Sequence, residues 1–206
     1  MKHWEDCQYF SEQLMDAHPS FREDMASLNG KWRYLIHATD SPMPDGWIEE
    51  EYDDKKWRRL QVPCLSVPKD QTATDAADVC FRKNFILSKN FGNRKVILRL
   101  EHIDTCTVLW VNGNYIGMSR DSAVPQEFDI THAVHPERNV IAILVHQDSC
   151  VPADTDTLFG LPGSVSLYTL PSRNISDLQS QILWEEGNRP LLKLKIRTEN
   201  ADGFSA

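Results

Sequence analysis

Three carboxylates in one short segment are the clearest candidates for chemistry in this sequence. Asp148, Asp154 and Asp156 stand in the stretch 148–156, which reads DSCVPADTD and follows an apolar segment. Carboxylate oxygens accept hydrogen bonds from sugar hydroxyls and ligate hard cations. The pattern therefore suggests a ligand site in this loop. A solvated acidic loop is the alternative, and composition alone favours it.

Histidines form the second group to consider. His132 and His135 are three residues apart, but no Cys or carboxylate completes a metal-ligand set at suitable spacing, so both are expected at the surface. His146 ends an apolar segment, where a partly buried structural histidine is expected rather than a catalytic base. The sequence contains no G-x-S-x-G, Walker loop, H-E-x-x-H or G-x-G-x-x-G motif.

Three tryptophans could stack on a sugar ring. They are Trp47, Trp57 and Trp110. A tryptophan in an alternating strand usually belongs to the core, so burial is the expected alternative for each of them.

The composition is that of a globular protein. The chain has 206 residues, with 22 Lys and Arg against 30 Asp and Glu, which gives a net charge of −8. This acidic balance argues against non-specific nucleic-acid binding, which needs cations to neutralise phosphates. The length suits one domain with room for a second, smaller piece.

Compartment and membrane signals point to a cytoplasmic protein. The longest apolar run is Val140–Val145, whereas a membrane-spanning helix needs about 20 apolar residues. The N-terminus, MKHWEDC, has no apolar signal region. The five cysteines, at positions 7, 64, 80, 106 and 150, form no C-x-x-C pair. Their odd number fits free thiols in a reducing compartment.

Short apolar segments separated by turn signals dominate the chain from Ser27 onward. In Cys80–Leu87 the residues alternate, so that Phe81 and Arg82 lie on opposite faces of a strand. Asn112-Gly113 is a strong hairpin signal. Strands are predicted at residues 31–37, 57–62, 80–87, 95–100, 105–111, 115–118, 127–130, 139–146 and 164–170. This spacing, without a sustained helical period, predicts an all-β fold, specifically a jelly-roll β-sandwich.

The same pattern divides the chain into three parts. Residues 1–26 are interpreted as an N-terminal arm and residues 27–171 as the sandwich, with polar loops at 40–46 and 69–78. Residues 172–206 hold two more strand segments, 175–183 and 191–197. Two strands are too few for an independent sandwich, so they are interpreted as the start of an incomplete β domain.

One long segment carries a family resemblance. Residues 109–139 read LWVNGNYIGMSRDSAVPQEFDITHAVHPERN. They resemble the N-terminal sugar-binding domain of family 2 glycoside hydrolases, especially the large β-galactosidases, whose pattern is W-x-N-G-x-x-V-G-Y-S-x-D-S-x-x-P-x-E-F-D-[IL]-T. The matching residues are Trp110, Asn112, Gly113, Gly117, Asp121, Ser122, Pro125, Glu127, Phe128 and Asp129.

Five other segments extend the resemblance over nearly the whole chain. Residues 27–33 (SLNGKWR) and 80–85 (CFRKNF) are similar to the family's S-L-N-G-x-W-x-F and Y-R-R-x-F strands. Residues 4–5 with 17–21 resemble the N-terminal arm of the bacterial β-galactosidases. Residues 174–177 resemble the start of their second, immunoglobulin-like domain.

The resemblance implies glycoside hydrolysis by a larger protein rather than by this segment. In the family, two Glu on a later (β/α)₈ barrel of about 250 residues act as acid/base and nucleophile. No catalytic residue is therefore assigned here. The implied role is to support that barrel and line its sugar site, with a β-galactoside-like carbohydrate and the downstream barrel as partners.

One site residue can be carried over from the β-galactosidases. There, an Asp before a W-R-x-S-G motif contacts the sugar and a sodium ion. Counting back from Gly160 without a gap places Asp154 at that position, with Asp156 as the second choice. A sodium or magnesium ion is accordingly expected only in a full-length enzyme, with Asp154 as its ligand.

Two loops depart from the β-galactosidase pattern. No Asn follows Val62-Pro63 where those enzymes have a sugar-contacting Asn, and Thr157-Leu158-Phe159 replaces the Trp-Arg pair. Galactose specificity is therefore left open. Two alternatives also stay open: a free-standing carbohydrate-binding module and a fragment that complements a larger subunit. The N-terminal arm is expected to contribute to homo-oligomer contacts.

Overall fold

The computed structural model describes residues 11–12, 23–38, 41–68, 77–91, 94–103, 105–120, 124–146, 157–185 and 189–200. The strands are β1 (Ser11–Glu12), β2 (Glu23–Ser27), β3 (Gly30–Ala38), β4 (Arg58–Val62), β5 (Cys64–Pro68), β6 (Ala77–Ile86), β7 (Lys95–Leu100), β8 (Thr107–Val111), β9 (Asn114–Ser119), β10 (Gln126–Asp129), β11 (Arg138–Val145), β12 (Thr157–Leu161), β13 (Val165–Leu170), β14 (Asn174–Glu185) and β15 (Arg189–Glu199). A short 3-10 helix occupies Lys89–Phe91. Within these ranges, no helix is long and apolar enough to cross a membrane.

Two antiparallel sheets face each other across the main core. The larger has the strand order β1-β9-β8-β11-β6-β3-β4, and the smaller has the order β10-β7-β13-β2. Trp32 and Phe81 of the larger sheet and Leu98 and Phe128 of the smaller one belong to a single apolar cluster, each at most 1% exposed. Alternating strands bury one side chain in two in this way. The prediction of an all-β sandwich is confirmed.

The Asn-Gly hairpin joins β8 to β9. Asn112 and Gly113 have φ of +50° and +76°, which the turn requires. The Asn112 amide also bridges two elements, because its Nδ2 donates to Asn139 Oδ1 at 2.8 Å and its Oδ1 accepts from the Val140 N–H at 2.7 Å. Asn139 is fully buried. The motif residue therefore satisfies buried polar groups as well as forming the turn.

The larger sheet is buried on its outer face as well. Segment 41–57 lies across that face and places Trp47 and Trp57 over it, with ring centroids 6.2 Å apart. We call the resulting group the outer cluster. Its buried members are Trp47, Trp57, Cys80, Cys106, Val108, Met118, Ala142 and Leu144. Trp110 is half-buried, with its ring centroid 5.4 Å from that of Trp47. The tryptophans are therefore packed in this cluster.

A buried arginine holds the covering segment in place. Arg82 of β6 is 1% exposed, and its Nε lies 3.3 Å from Asp54 Oδ2. Its guanidinium also donates to the carbonyls of Trp47 and Glu49. Arg33 of β3 approaches the other Asp54 oxygen at 3.1 Å. Burial lowers the pKa of Arg82, and the hydrogen bond that Arg82 donates to Asp54 opposes that shift.

A small ribbon of β5 and β12 closes one side of the sandwich. A Cβ at Gly160 would lie 2.5 Å from the carbonyl oxygen of Cys64, so glycine is required for this close approach. β12 begins at Thr157, which directly follows the stretch 148–156 in the sequence.

The last two strands form a hairpin that leaves the sandwich. At its base, Lys95 Nζ lies 2.6 Å from Glu199 Oε2, and the Asn174 side chain donates to the carbonyl of Pro171 at 3.1 Å. These contacts connect β14 and β15 to the smaller sheet.

We expect Asp54→Asn to lower the free energy of unfolding by about 3 kcal/mol, because Arg82 would then keep a buried charge without a carboxylate partner. Urea denaturation of the two proteins measures this difference. Asp53→Asn is the matched control, since Asp53 lies 3.7 Å from Lys55 with both side chains mostly exposed. Its cost should stay below about 1 kcal/mol. Equal costs for the two substitutions would contradict the role given to Arg82.

Candidate functional site

Three strands of the larger sheet end in polar residues at the same edge. In the register, His37 of β3 lies opposite Asp78 of β6, and Val79 of β6 lies opposite Val145 of β11. His146, the residue after Val145, therefore meets Asp78. We call His37, Asp78 and His146 the rim cluster. All three side chains point to the outer face. Cys80 and Leu144, two residues from Asp78 and His146, belong to the outer cluster, and Leu35, two residues from His37, packs against it.

The contact between Asp78 and His146 is the central one. His146 Nδ1 lies 2.7 Å from Asp78 Oδ1, with the two side chains 17% and 9% exposed. An ionised carboxylate only accepts hydrogen bonds, so Nδ1 of His146 carries the proton in this contact.

The backbone around His146 is also held. Its N–H donates to the Cys106 carbonyl at 2.8 Å, and its carbonyl accepts from the Thr105 hydroxyl at 2.8 Å. His146 is thus fixed by side chain and backbone immediately before the acidic loop starts.

The other two members complete the edge. His37 is 8% exposed, and its Nε2 lies 2.9 Å from the Ser41 carbonyl oxygen, so Nε2 is the protonated nitrogen. Asp78 also acts on Cys80. Burial raises the pKa of the Cys80 thiol well above its usual range, and the charge of Asp78 raises it further. Cys80 therefore stays a thiol and is no nucleophile.

The rim cluster lies where two segments of interest join the sheet. The acidic loop begins just after His146, and the segment that replaces the Asn loop of the β-galactosidases ends just before Ala77. Asp148, Asp154 and Asp156 lie outside the described residues. Ligation of a cation by Asp154 therefore stays a prediction. Among the described residues, no group of three His, Cys, Asp or Glu side chains could hold a metal ion.

His132 and His135, the closely spaced pair in the sequence, lie apart from the rim cluster. His135 Nε2 is 3.1 Å from Glu50 Oε1, and its Nδ1 faces Asn139. His132 is exposed. The two are not brought together with any residue of the rim cluster.

Sequence reasoning missed Asp78 and His37. It assigned residues 69–78 to a loop because of their polar composition, whereas β6 begins at Ala77 and Asp78 is 6% exposed. It did place His146 at a strand end, as observed. The sequence contains one signal that could have identified them: each of the three polar residues borders an apolar strand segment.

The fold is an all-β sandwich of two antiparallel sheets, with the rim cluster at one edge of the larger sheet. The sequence model of the glycosyl hydrolases family 2, sugar binding domain, matches residues 25–171. The chain belongs to this family.

Curated relatives agree with this assignment. The chain is 25% identical over 191 residues to the β-galactosidase large subunit of Leuconostoc lactis, covering 74% of the chain and 30% of that relative. It is 26% identical over 213 residues to the β-galactosidase of Yersinia enterocolitica, covering 85% of the chain and 20% of that relative. It thus spans less than a third of either relative.

Solved structures share the fold. A β-glucuronidase from Ruminococcus gnavus superposes with a TM-score of 0.69 at 19% identity, covering 91% of this chain and 36% of that one. A β-glycosidase from Bacteroides vulgatus gives a TM-score of 0.67 at 20% identity, covering 87% of this chain and 24% of that one. Residues 25–171 thus correspond to the sugar-binding domain of family 2 glycosyl hydrolases, and the solved structures support the fold alone.

A double-mutant cycle should detect the Asp78–His146 contact. With Asp78→Asn and His146→Gln, we expect a coupling energy of about 1–2 kcal/mol in urea unfolding, because a charge-assisted bond is largely desolvated there. The matched cycle uses Glu50→Gln and His135→Gln, whose side chains are 34% and 41% exposed. That coupling should be about 0.5 kcal/mol or less. Additive effects at Asp78 and His146 would refute the contact.

Proposed function

We propose that this chain supports the catalytic barrel of a β-galactosidase-like glycoside hydrolase and contributes one wall of its sugar site. The match of residues 25–171 to the family's sugar-binding domain carries the proposal. The substrate class would be a β-galactoside-like carbohydrate. The reaction is retaining hydrolysis of an O-glycosidic bond by two carboxylates on the barrel.

The contribution of this chain would be positioning. We propose that Asp154, with Asp156 as the second choice, accepts hydrogen bonds from sugar hydroxyls, and that Asp154 also ligates sodium or magnesium in the longer enzyme. The support is the rim cluster, because His146 and Asp78 fix the strand from which the acidic loop departs. Anchoring the strand before a loop favours a defined position of the loop carboxylates relative to a ligand.

The packing of the tryptophans favours this role over a free-standing carbohydrate-binding module. Trp47 and Trp57 are 5% and 7% exposed and pack inside the outer cluster. They therefore offer no open ring face for a sugar. A shared site, completed by the barrel, needs no aromatic platform on this chain.

We further propose that the sandwich is a jelly roll and that residues 172–206 begin an immunoglobulin-like domain. The support is the two-sided character of the β14–β15 hairpin, in which cross-strand pairs alternate between faces. One face carries the pairs Leu178–Ile196, Ser180–Leu194, Ile182–Leu192 and Trp184–Pro190. The other carries Asp177–Arg197, Gln179–Lys195, Gln181–Lys193 and one apolar pair, Leu183–Leu191.

The apolar face of the hairpin is largely uncovered. Ile182 is 64% exposed and Trp184 is 67% exposed. Single exposed apolar residues are ordinary, but a contiguous stripe of this kind marks an interface. The second sheet of a β-sandwich is the partner that an amphipathic ribbon fits.

Two further proposals concern assembly and location. We propose that the arm, residues 1–26, contributes homo-oligomer contacts, although most of it lies outside the described residues. Sedimentation of a version that begins at Glu23, the first residue of β2, tests this while keeping the smaller sheet complete. A cytoplasmic location is supported by Cys64, Cys80 and Cys106, which are free thiols. Fractionation of cells that produce the protein tests the location.

Activity should depend on a barrel. We expect the 206-residue chain to leave o-nitrophenyl β-galactoside intact, whereas a longer protein that includes the barrel hydrolyses it. In that longer protein Asp154→Ala should raise KM about tenfold or more, because a charge-assisted hydrogen bond to the sugar is lost. Asp53→Ala is the control and should leave KM unchanged. Unaltered kinetics in Asp154→Ala would remove Asp154 from the site.

The two faces of the hairpin should respond differently to charge. In the 206-residue chain, Ile182→Lys should reduce binding of the dye ANS, while Gln181→Lys, on the opposite face, should not. In a longer protein with a complete second domain, Ile182→Lys should cost about 2 kcal/mol or more by burying a charge. Equal behaviour of the two variants in both proteins would contradict the proposed domain.

A further inference from the structure

The Asn112-Gly113 turn is a chemically reactive dipeptide as well as a hairpin. In an Asn-Gly pair the backbone nitrogen of Gly can attack the side-chain carbonyl carbon of Asn, because Gly has no side chain to hinder the approach. The sequence holds two such pairs, Asn29-Gly30 and Asn112-Gly113, and both are half-buried. Their surroundings in the fold differ, and this difference determines how each pair reacts.

The reaction replaces the Asn amide by a carboxylate. The Gly nitrogen gives up its proton to water and bonds to the Asn Cγ, and ammonia leaves as the bond between Cγ and Nδ2 breaks. Water then opens the resulting succinimide ring at either carbonyl, which yields aspartate or isoaspartate. The net change consumes water and releases ammonia, so the reaction needs no oxidant, reductant or enzyme.

The Asn112 side chain is held by hydrogen bonds at both of its polar atoms. Its Nδ2 donates to the Ala133 carbonyl at 2.9 Å and to Asn139 Oδ1 at 2.8 Å, while its Oδ1 accepts from the Val140 N–H at 2.7 Å. Cyclisation has to break these bonds, because the carboxamide must rotate onto the Gly113 nitrogen. The native hairpin therefore opposes the reaction on the side of the amide.

The attacking nitrogen is held by the covering segment, residues 41–57. The Gly113 N–H donates to the carbonyl of Ile48 at 3.1 Å. The Glu49 carboxylate packs against the same residue, since a Cβ on Gly113 would collide with it. The hydrogen bond retains the proton that must leave, and the negative charge disfavours the anionic nitrogen that would attack. The covering segment therefore opposes the reaction on the side of the nucleophile.

The second Asn-Gly pair depends on another part of the fold. Asn29 Nδ2 donates to the Ser164 hydroxyl at 3.2 Å, and its Oδ1 accepts from the Val165 N–H at 2.9 Å. Val165 is the first residue of β13, and Ser164 directly precedes it. Opening of the covering segment therefore frees Gly113 and leaves the contacts of Asn29 in place.

We propose that Asn112 is a site of spontaneous deamidation whose access is controlled by the covering segment. Detachment of that segment removes the Ile48 acceptor and the Glu49 charge together, so that Gly113 can attack. The product cannot restore the native contacts, because a carboxylate at position 112 has no hydrogen to donate to the oxygens of Ala133 and Asn139. Deamidation therefore converts a transient opening into a permanent change.

Peptide mass spectrometry follows Asn112 and Asn29 in the same 206-residue chain during incubation at mildly alkaline pH. We expect both residues to convert in urea, and Asn112 to convert at least about tenfold more slowly in the native chain. Asp54→Asn weakens the attachment of the covering segment, so it should accelerate Asn112 about tenfold and leave Asn29 at its native rate. A factor of ten in opening corresponds to only about 1.4 kcal/mol.

A second variant keeps the test independent of the buried charge. Trp57→Phe reduces the packing of the covering segment in the outer cluster, where Trp57 is 7% exposed. It should accelerate Asn112 several-fold without affecting Asn29. Asp53→Asn is the matched control, because this mostly exposed carboxylate lies on the same segment, and it should change neither rate. Urea denaturation of each variant verifies that it is folded.

The consequence of the reaction is tested with Asn112→Asp, which reproduces the deamidated side chain. Its thermal midpoint should be lower than that of the parent chain by several degrees, because two donated hydrogen bonds are lost. Asn114→Asp is the control, since it makes the same chemical change at an exposed position of the same hairpin. Its thermal midpoint should stay close to that of the parent chain.

Three results would overturn the proposal. The first is conversion of Asn112 as fast in the native chain as in urea. The second is equal acceleration of Asn29 and Asn112 by Asp54→Asn and Trp57→Phe, which would assign the reaction to global unfolding. The third is a thermal midpoint of Asn112→Asp equal to that of Asn114→Asp. None of these measurements depends on hydrolytic activity, so the test is independent of the proposed role in the enzyme.

Discussion

The structure depends on compensation of one buried positive charge. The guanidinium of Arg82 is 1% exposed within the outer cluster, and an uncompensated charge there would be very costly. Asp54 supplies the opposite charge, and the carbonyls of Trp47 and Glu49 accept the remaining hydrogen bonds. The irregular segment 41–57 is therefore fixed on the larger sheet by the side chain that it buries.

That constraint propagates along β6. Because the covering segment closes the outer face, β6 is buried on both sides over most of its length, and its first residues enter the sheet as ordered backbone. Asp78 is consequently held near His37 and His146 at the edge of the sheet. One central strand thus links the packing of the covering segment to the position of the rim cluster.

Local chemistry made much of this fold predictable, and long-range contacts account for what was missed. The Asn112-Gly113 turn and the alternating strands were predicted because their signals lie within a few residues. The burial of Arg82 was not, since its partner Asp54 is 28 residues away. Asp78 was assigned to a loop because the residues before it are polar. Its place in β6 depends on pairing with β3 and β11, which are distant in the sequence. Asp154 and Asp156 stay predictions from the family resemblance.

The outer cluster also contains two thiols, Cys80 and Cys106, at most 1% exposed. Oxidants and alkylating reagents reach such sulfurs only when the covering segment detaches. Cys64, on the β5–β12 ribbon, is half-buried and more accessible. The rate at which the two buried sulfurs are modified therefore measures how often segment 41–57 opens. The rate at Cys64 serves as the reference for the reactivity of the reagent with a more accessible thiol. The cysteines of this fold therefore provide an internal measure of local unfolding.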